Sequence, residues 1–183
     1  MTQNTTALAK GTGERFEDNV ALQKLWIATQ TRQWRSLAIV GASEASASIH
    51  AAQLLANMSW QYSGVPTAVF DLRDVSIRLV EYQIQEIQIQ ASKGDRVFVA
   101  LRSPEENPTT VPIARAADAV VLCVALGTTD TKAAQKALAA IGRVHFLGCI
   151  VMKERRSYGN REGRASSMPP PQSAPEPTMP RPR

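Results

Sequence analysis

The stretch GASEASASIH (41–50) is the first place in the chain where residue types and spacing suggest chemistry. It follows a short apolar run and opens a helical pattern, and that junction is where an α/β protein receives phosphate. A phosphate loop needs glycines that let the backbone wrap the oxygens, the free N–H groups of a helix N-terminus, and a lysine for the terminal phosphates. Gly41 is the one glycine here, and Ser43, Ser46 and Ser48 keep the loop small and polar, with Ser46 or Ser48 placed to cap the helix. Residues 41–50 contain no Lys or Arg, and Glu44 would repel phosphate. A G-x-G-x-x-G dinucleotide loop fails as well, because Ser43 and Ser46 stand where further glycines are needed. Taken alone, the loop reads more simply as a serine-rich helix start.

Other candidate groups are sparser. Asp71 and Arg73 close the run TAVFDLRD (67–74), where a strand-end carboxylate either meets a ligand or caps a loop. His50 and His145 are the only histidines, and neither has a carboxylate or cysteine at metal-ligand spacing, so structural or solvated roles are expected. No Gly-x-Ser-x-Gly elbow, H-E-x-x-H or paired-carboxylate motif occurs, and Glu105 with Glu106 reads as a solvated turn. Cys123 and Cys149 each sit inside an apolar run, which predicts small buried hydrophobes in a reducing compartment. Trp26, Trp34 and Trp60 read as packing residues, with the alternative that Trp34, between Arg32 and Arg35, forms an exposed contact surface for a partner.

The elements that must position these groups follow from periodicity. Glu14 to Thr31 carries Phe16, Val20, Leu22, Trp26 and Ile27 as an amphipathic helical stripe. SLAIVG (36–41) precedes a helix from about Ser48 to Tyr62, and TAVFDL (67–72) precedes a second, with Val80, Ile84, Ile87 and Ala91 on one face. The alternation YQIQEIQIQ also fits a strand; a helix is preferred, because Gln and Glu are good helix formers and the segment must bridge two parallel strands. RVFVAL (96–101), AVVLCVAL (119–126) and VHFLGCIVM supply further strands. Between them lie a Pro-punctuated loop, a short helix through ARAADA, and TKAAQKALAAIG, with a Thr128/Thr129/Asp130 cluster for its turn and N-cap and Gly142 at its end. Continuously apolar strands, each followed by a helix, predict a three-layer α-β-α sandwich with a mainly parallel sheet covered on both faces.

Charge is unevenly placed. The chain of 183 residues carries a net +5, but residues 1–152 hold 14 basic and 13 acidic side chains, whereas residues 153–183 hold 7 and 3. Seven of the eleven prolines fall in that same tail. The expected organisation is a flexible N-terminus (1–13), one α/β domain (14–155) and a disordered Pro/Arg-rich tail (156–183). Nucleic-acid binding is disfavoured, because the folded part is nearly neutral and Tyr158 is the tail's only aromatic for stacking. No apolar run reaches the ~20 residues of a membrane span, and the first residues lack the apolar core of a signal peptide, so the expectation is a cytoplasmic protein, at most peripheral to the membrane through a partner.

In order and spacing the stretch from Glu17 to Arg156 resembles the capsular and exopolysaccharide tyrosine autokinases of bacteria, within the ParA/MinD-like branch of P-loop ATPases. EDNVALQKL (17–25) has the position of the family's E-x-x-R-x-x-R assembly helix, and WRSLAIVGASEASASIHAAQLLANM (34–58) that of its first strand, Walker A loop and following helix. TAVFDLRD parallels the strand ending in I-D-x-D-L-R. The segment from Gly94 onward parallels Y-D-x-V-I-I-D-T-P-P, A-D-G-V-L-L-V-V and L-G-V-V-L-N.

The resemblance implies a P-loop NTPase-like fold with a vestigial nucleotide site at Gly41, Ser43, Ser46, Ser48, Asp71 and Arg73. Departures from the family decide the function expected. The Walker A lysine is replaced by approximately Ala47, and the third-strand aspartate by Ala100 or Leu101. Phosphoryl transfer depends on such groups for neutralising charge and positioning Mg²⁺, so activity should be lost and neither ATP nor Mg²⁺ is expected as a cofactor. Glu17 remains in the assembly helix, but Val20 and Gln23 replace its arginines, and the tail keeps a single tyrosine. By resemblance, the chain is a non-catalytic regulatory or scaffold protein of exopolysaccharide or capsule export. It would dock on an inner-membrane polysaccharide co-polymerase or chain-length protein through Glu17, Lys24 and Trp34, and it could also form a homo-oligomer. Two alternatives stand beside this: a weak ATP-binding, kinase-like enzyme with an atypical loop, and a ParA-like positioning adaptor.

Overall fold

A computed structural model of the chain describes residues 20–43, 45–127 and 129–153. The expected lead-in at 1–13, Glu17 and the tail at 156–183 lie outside the described residues.

Five strands, β1 (Ser36–Gly41), β2 (Thr67–Asp71), β3 (Arg96–Leu101), β4 (Ala119–Leu126) and β5 (Phe146–Lys153), form one all-parallel sheet in the order β2-β3-β1-β4-β5. Helices α1 (Val20–Thr29) and α2 (Ala45–Ser63) pack on one face, and α3 (Val80–Ser92), α4 (Thr110–Ala116) and α5 (Thr131–Ile141) on the other. The chain is therefore a three-layer α/β sandwich.

The layering follows from the two-residue period of a strand. Leu37, Ile39, Phe98, Ala100, Ala119, Val121 and Cys123 face α1 and α2, where Ala51, Ala52, Leu55, Ala56 and Met58 form the buried stripe of α2. Ala38, Val40, Val97, Val99, Leu101, Val120 and Leu122 face α3 to α5. The central strands β1, β3 and β4 have both faces buried, which explains their continuous apolarity. YQIQEIQIQ is helical: Val80 and Ile87 are buried, with Ile84 and Ala91 packed beside them, as the i, i+4, i+7, i+11 spacing requires.

Several boundaries differ from the sequence expectation. Helix α2 starts at Ala45, so Ser48 lies within its first turns, fully buried, and is not the N-cap. The Pro-punctuated loop is shorter than expected, because its TVP end (110–112) already belongs to α4. The last strand begins at Phe146, since Arg143–His145 forms a turn of 3-10 helix after Gly142. Cys149 is exposed, as is Val151 on the same strand, which is at the edge of the sheet.

Polar contacts set the ends of the elements. Asp130 caps α5, its carboxylate accepting from the Lys132 N–H at 3.1 Å, and Gly142 ends that helix with φ of 102°. Asp130→Ala should lower stability by about 1 kcal/mol in urea unfolding, whereas an unchanged midpoint would show the cap to be dispensable. At the opposite edge, one carboxylate oxygen of Asp118 accepts from the N–H groups of Arg35 and Ser36 at 2.9 Å and from the Ser36 hydroxyl at 3.0 Å. This ties the start of β1 to the start of β4. Although partial burial opposes it, these hydrogen bonds hold the Asp118 carboxyl below its usual range.

Candidate functional site

In an open parallel sheet, ligands bind beyond the carboxyl ends of the strands, where successive connections leave in opposite directions. With the order β2-β3-β1-β4-β5, the connection leaving β1 runs toward β2 and the connection leaving β3 runs toward β4. The crevice therefore lies between the ends of β1 and β3. Gly41, Ala42 and Ser43 form one wall, and Leu101, Arg102 and Ser103 the other.

The β1 wall is tied to its neighbour on the far side. The Ala42 N–H donates to the Cys123 carbonyl at 2.9 Å, and the Ser43 hydroxyl bonds the Thr129 hydroxyl at 2.9 Å. Thr129 Oγ1 also accepts from the Ala125 N–H at 2.9 Å. These hydroxyls are engaged with one another. Ser48 is buried within α2, and the Ser46 side chain lies outside the described residues.

Asp71 and Arg73, at the end of β2, pair with each other. Arg73 Nε donates to Asp71 Oδ1 at 2.7 Å and Nη2 to Oδ2 at 2.8 Å, the two-point fork of a guanidinium on a carboxylate. That hydrogen-bonded pair lowers the Asp71 pKa and raises that of Arg73. Arg102, on the β3 wall, pairs with Asp74 at 2.6 Å. The loop after β3 is closed by its own contacts: the Asn107 amide donates to the carbonyls of Arg73 and Val75, and the Thr110 hydroxyl donates to that of Arg102. β3 lies between β2 and β1, so Asp71 and Arg73 stand one strand removed from Gly41 and Ser43.

The donor set does not fit Mg·ATP. Ala100 and Leu101, where the resemblance to the autokinases leads one to expect a metal-organising aspartate, are both fully buried apolar residues. The cations at the crevice edge, Arg73 and Arg102, already carry carboxylate partners, although the buried Nε of Arg102 has no hydrogen-bond partner, and the loop at 41–50 has no cation of its own. Among the described residues, no group of three or more His, Cys, Asp or Glu could hold a metal ion. His50 is exposed on α2, and His145 lies in the 3-10 turn before β5. Burial pushes the Cys123 thiol up to about 12 and that of Cys149 upward as well, so neither is a thiolate at neutral pH.

No protein-family model, curated protein or solved structure matches the chain.

Of the residues expected to contact a partner, Lys24 is exposed on α1. Trp34 is not a presented ring. It is only 7% exposed, its indole N–H donates to the Thr29 carbonyl at 2.7 Å, and its ring meets Phe98 edge-on at 5.5 Å. The arginines around it, rather than the indole, form the surface there. They border a second concavity, at the amino ends of the strands, which also includes Arg96. Sequence reading passed over Arg96; its one signal is that it is the only charged residue in RVFVAL.

Proposed function

We propose that the chain is a non-catalytic relative of the polysaccharide autokinases, acting as a regulatory or scaffold protein in exopolysaccharide or capsule biosynthesis and export. The observation that carries the non-catalytic part is the chemistry of the switch-point crevice. Beside Arg102, which is paired with Asp74, its two walls present engaged hydroxyls and buried apolar side chains where phosphoryl transfer needs an unpaired cation and a metal-binding carboxylate. The pathway assignment rests on the order and spacing of the segments that resemble the autokinases, and the all-parallel sheet with β1 at its centre is compatible with it.

In this reading the protein works in the cytoplasm by recognition. It docks on the cytoplasmic part of an inner-membrane polysaccharide co-polymerase, with the helix that contains Lys24 as the contact element. No described helix is long and apolar enough to cross a membrane, so membrane association would come through that partner. Isothermal titration of the full chain with Mg·ATP is expected to show no binding. Submillimolar binding would overturn the non-catalytic reading. Fractionation tests the docking: the protein should sediment with inner membranes in cells that carry the co-polymerase and stay soluble in cells that lack it.

A further inference from the structure

At the edge of the sheet opposite the switch-point crevice, a cavity of about 630 Å³ opens beside the starts of β1 and β3. That size falls within the range of small-molecule sites, about 300–1,000 Å³. Its lining includes three guanidinium groups, those of Arg32, Arg35 and Arg96, against a single carboxylate, Asp118. The Asp118 oxygen that is hydrogen-bonded serves the backbone of Arg35 and Ser36 and the Ser36 hydroxyl. Among the described residues, none of the three arginines forms an ion pair, in contrast to Arg73 and Arg102 at the other edge, although Arg35 Nη1 donates to the Ala91 carbonyl at 3.2 Å and the charge of Arg32 helps to hold the Asp118 carboxyl ionised.

Arg96 is the least comfortable of the three. Its guanidinium carbon sits 5.1 Å from the ring centre of Trp26 and 5.0 Å from that of Trp34, sandwiched between two indoles. Tyr62 stacks on Trp26 and Phe98 abuts Trp34, so the sandwich is held from both sides. Nη2 donates to the Gln30 amide oxygen at 3.2 Å, while the buried Nη1 has no partner. Burial disfavours the charged form and lowers the Arg96 pKa. The indole faces offset part of that cost, but the cation has no anion beside it among the described residues, and an anion in the cavity that Arg96 lines would supply one. Guanidinium forks match the oxygens of phosphate, and Gln30 and Gln33 add amides on the same rim.

We propose that this cavity is a binding site for a phosphate group, either on a small molecule or on a lipid headgroup, with Arg96 as its fixed anchor and Arg32 and Arg35 closing on the ligand from the rim. The site is independent of the switch-point crevice and of the proposed role in export.

The test titrates the full chain with inorganic phosphate at constant ionic strength, with chloride as the control, following tryptophan fluorescence and the thermal midpoint. A saturable fluorescence change and a raised midpoint are expected with phosphate only. Arg96→Gln should abolish the response. Because that variant disturbs the indole sandwich, Arg32→Gln and Arg35→Gln, at exposed positions, serve as second variants; each should weaken binding about tenfold or more, with Arg32→Gln leaving the ligand-free midpoint near that of the parent and Arg35→Gln lowering it by what the bond to the Ala91 carbonyl contributes. Cosedimentation with phosphatidylcholine vesicles, with and without phosphatidic acid, distinguishes the sources. Binding to phosphatidic acid that falls in the two rim variants assigns the phosphate to a lipid, whereas free phosphate binding without a rim-dependent vesicle response assigns it to a small molecule. Identical responses to phosphate and chloride together with no rim-dependent vesicle binding, or a phosphate response unchanged in all three variants, would overturn the proposal.

Discussion

Trp34→Ala is expected to lower the unfolding free energy by about 3–5 kcal/mol, a large part of the 5–15 kcal/mol typical of a domain. The indole is 7% exposed and lies between the Arg96 guanidinium and the edge of Phe98, so truncation leaves a cavity beside a cation. It also leaves the Thr29 carbonyl without its 2.7 Å donor, which loosens the junction between α1 and β1. Trp34→Phe should cost less, because the ring contacts are largely kept and the hydrogen bond is lost. Urea unfolding followed by circular dichroism measures both variants. A cost below about 1 kcal/mol for the alanine variant, together with lost co-polymerase binding, would make Trp34 a contact residue after all.

The burial of Trp34 illustrates what the sequence concealed. Neighbours along the chain, Arg32 and Arg35, suggest an exposed ring, but the ring's environment comes from Phe98 and Arg96 on β3, more than sixty positions away. Strand order decides such contacts, and it is not written in local periodicity. The same holds for Cys149. VHFLGCIVM reads as apolar as AVVLCVAL, yet β4 is interior and β5 is an edge, so only Cys123 is buried. Where periodicity alone suffices, sequence and structure agree: Val80, Ile84, Ile87 and Ala91 share the packed face of α3, and Asp130 and Gly142 bound α5. The three-layer parallel architecture was also legible, because doubly buried strands and the helices between them leave few other arrangements.

The candidate site was legible mainly through what it lacks. The absence of a cation from residues 41–50 needs only the sequence. Folding adds that Ser43 is bound to Thr129 and that Asp71 is held by Arg73, with β3 between them. Asp71 was equally consistent with a loop cap or a relic of a metal site, and its pairing with Arg73 two residues later is the geometry of a cap. The basic cavity, by contrast, draws on residues near 32, 96 and 118 that only the sheet assembles, at the edge where an α/β fold is not expected to bind anything.

Leu101→Asp would place a carboxylate where the resemblance to the autokinases calls for one, and it is expected to break the fold rather than restore a site. Leu101 has no exposed surface and lies in the cluster with Val40, Val80 and Ile113 on the α3–α5 face of the sheet. Removing the isobutyl group costs about 2–5 kcal/mol, and a carboxylate buried among these apolar side chains adds several more. The sign of the pH dependence identifies the cause. Burial would raise the folded-state pKa of the new carboxyl above the unfolded value of about 3.9, so the penalty is absent at lower pH, grows as pH rises past that value and levels off above the folded-state pKa. Leu101→Asn carries no titrating group, so its deficit should lack that additional pH dependence; Leu101→Met, which conserves volume, should cost less than about 1.5 kcal/mol. Urea unfolding of the three variants at acid and neutral pH reads these effects. A Leu101→Asp protein of parental stability that gains Mg·ATP binding would show the crevice to be a nucleotide site one residue short, and the non-catalytic reading would fail with it.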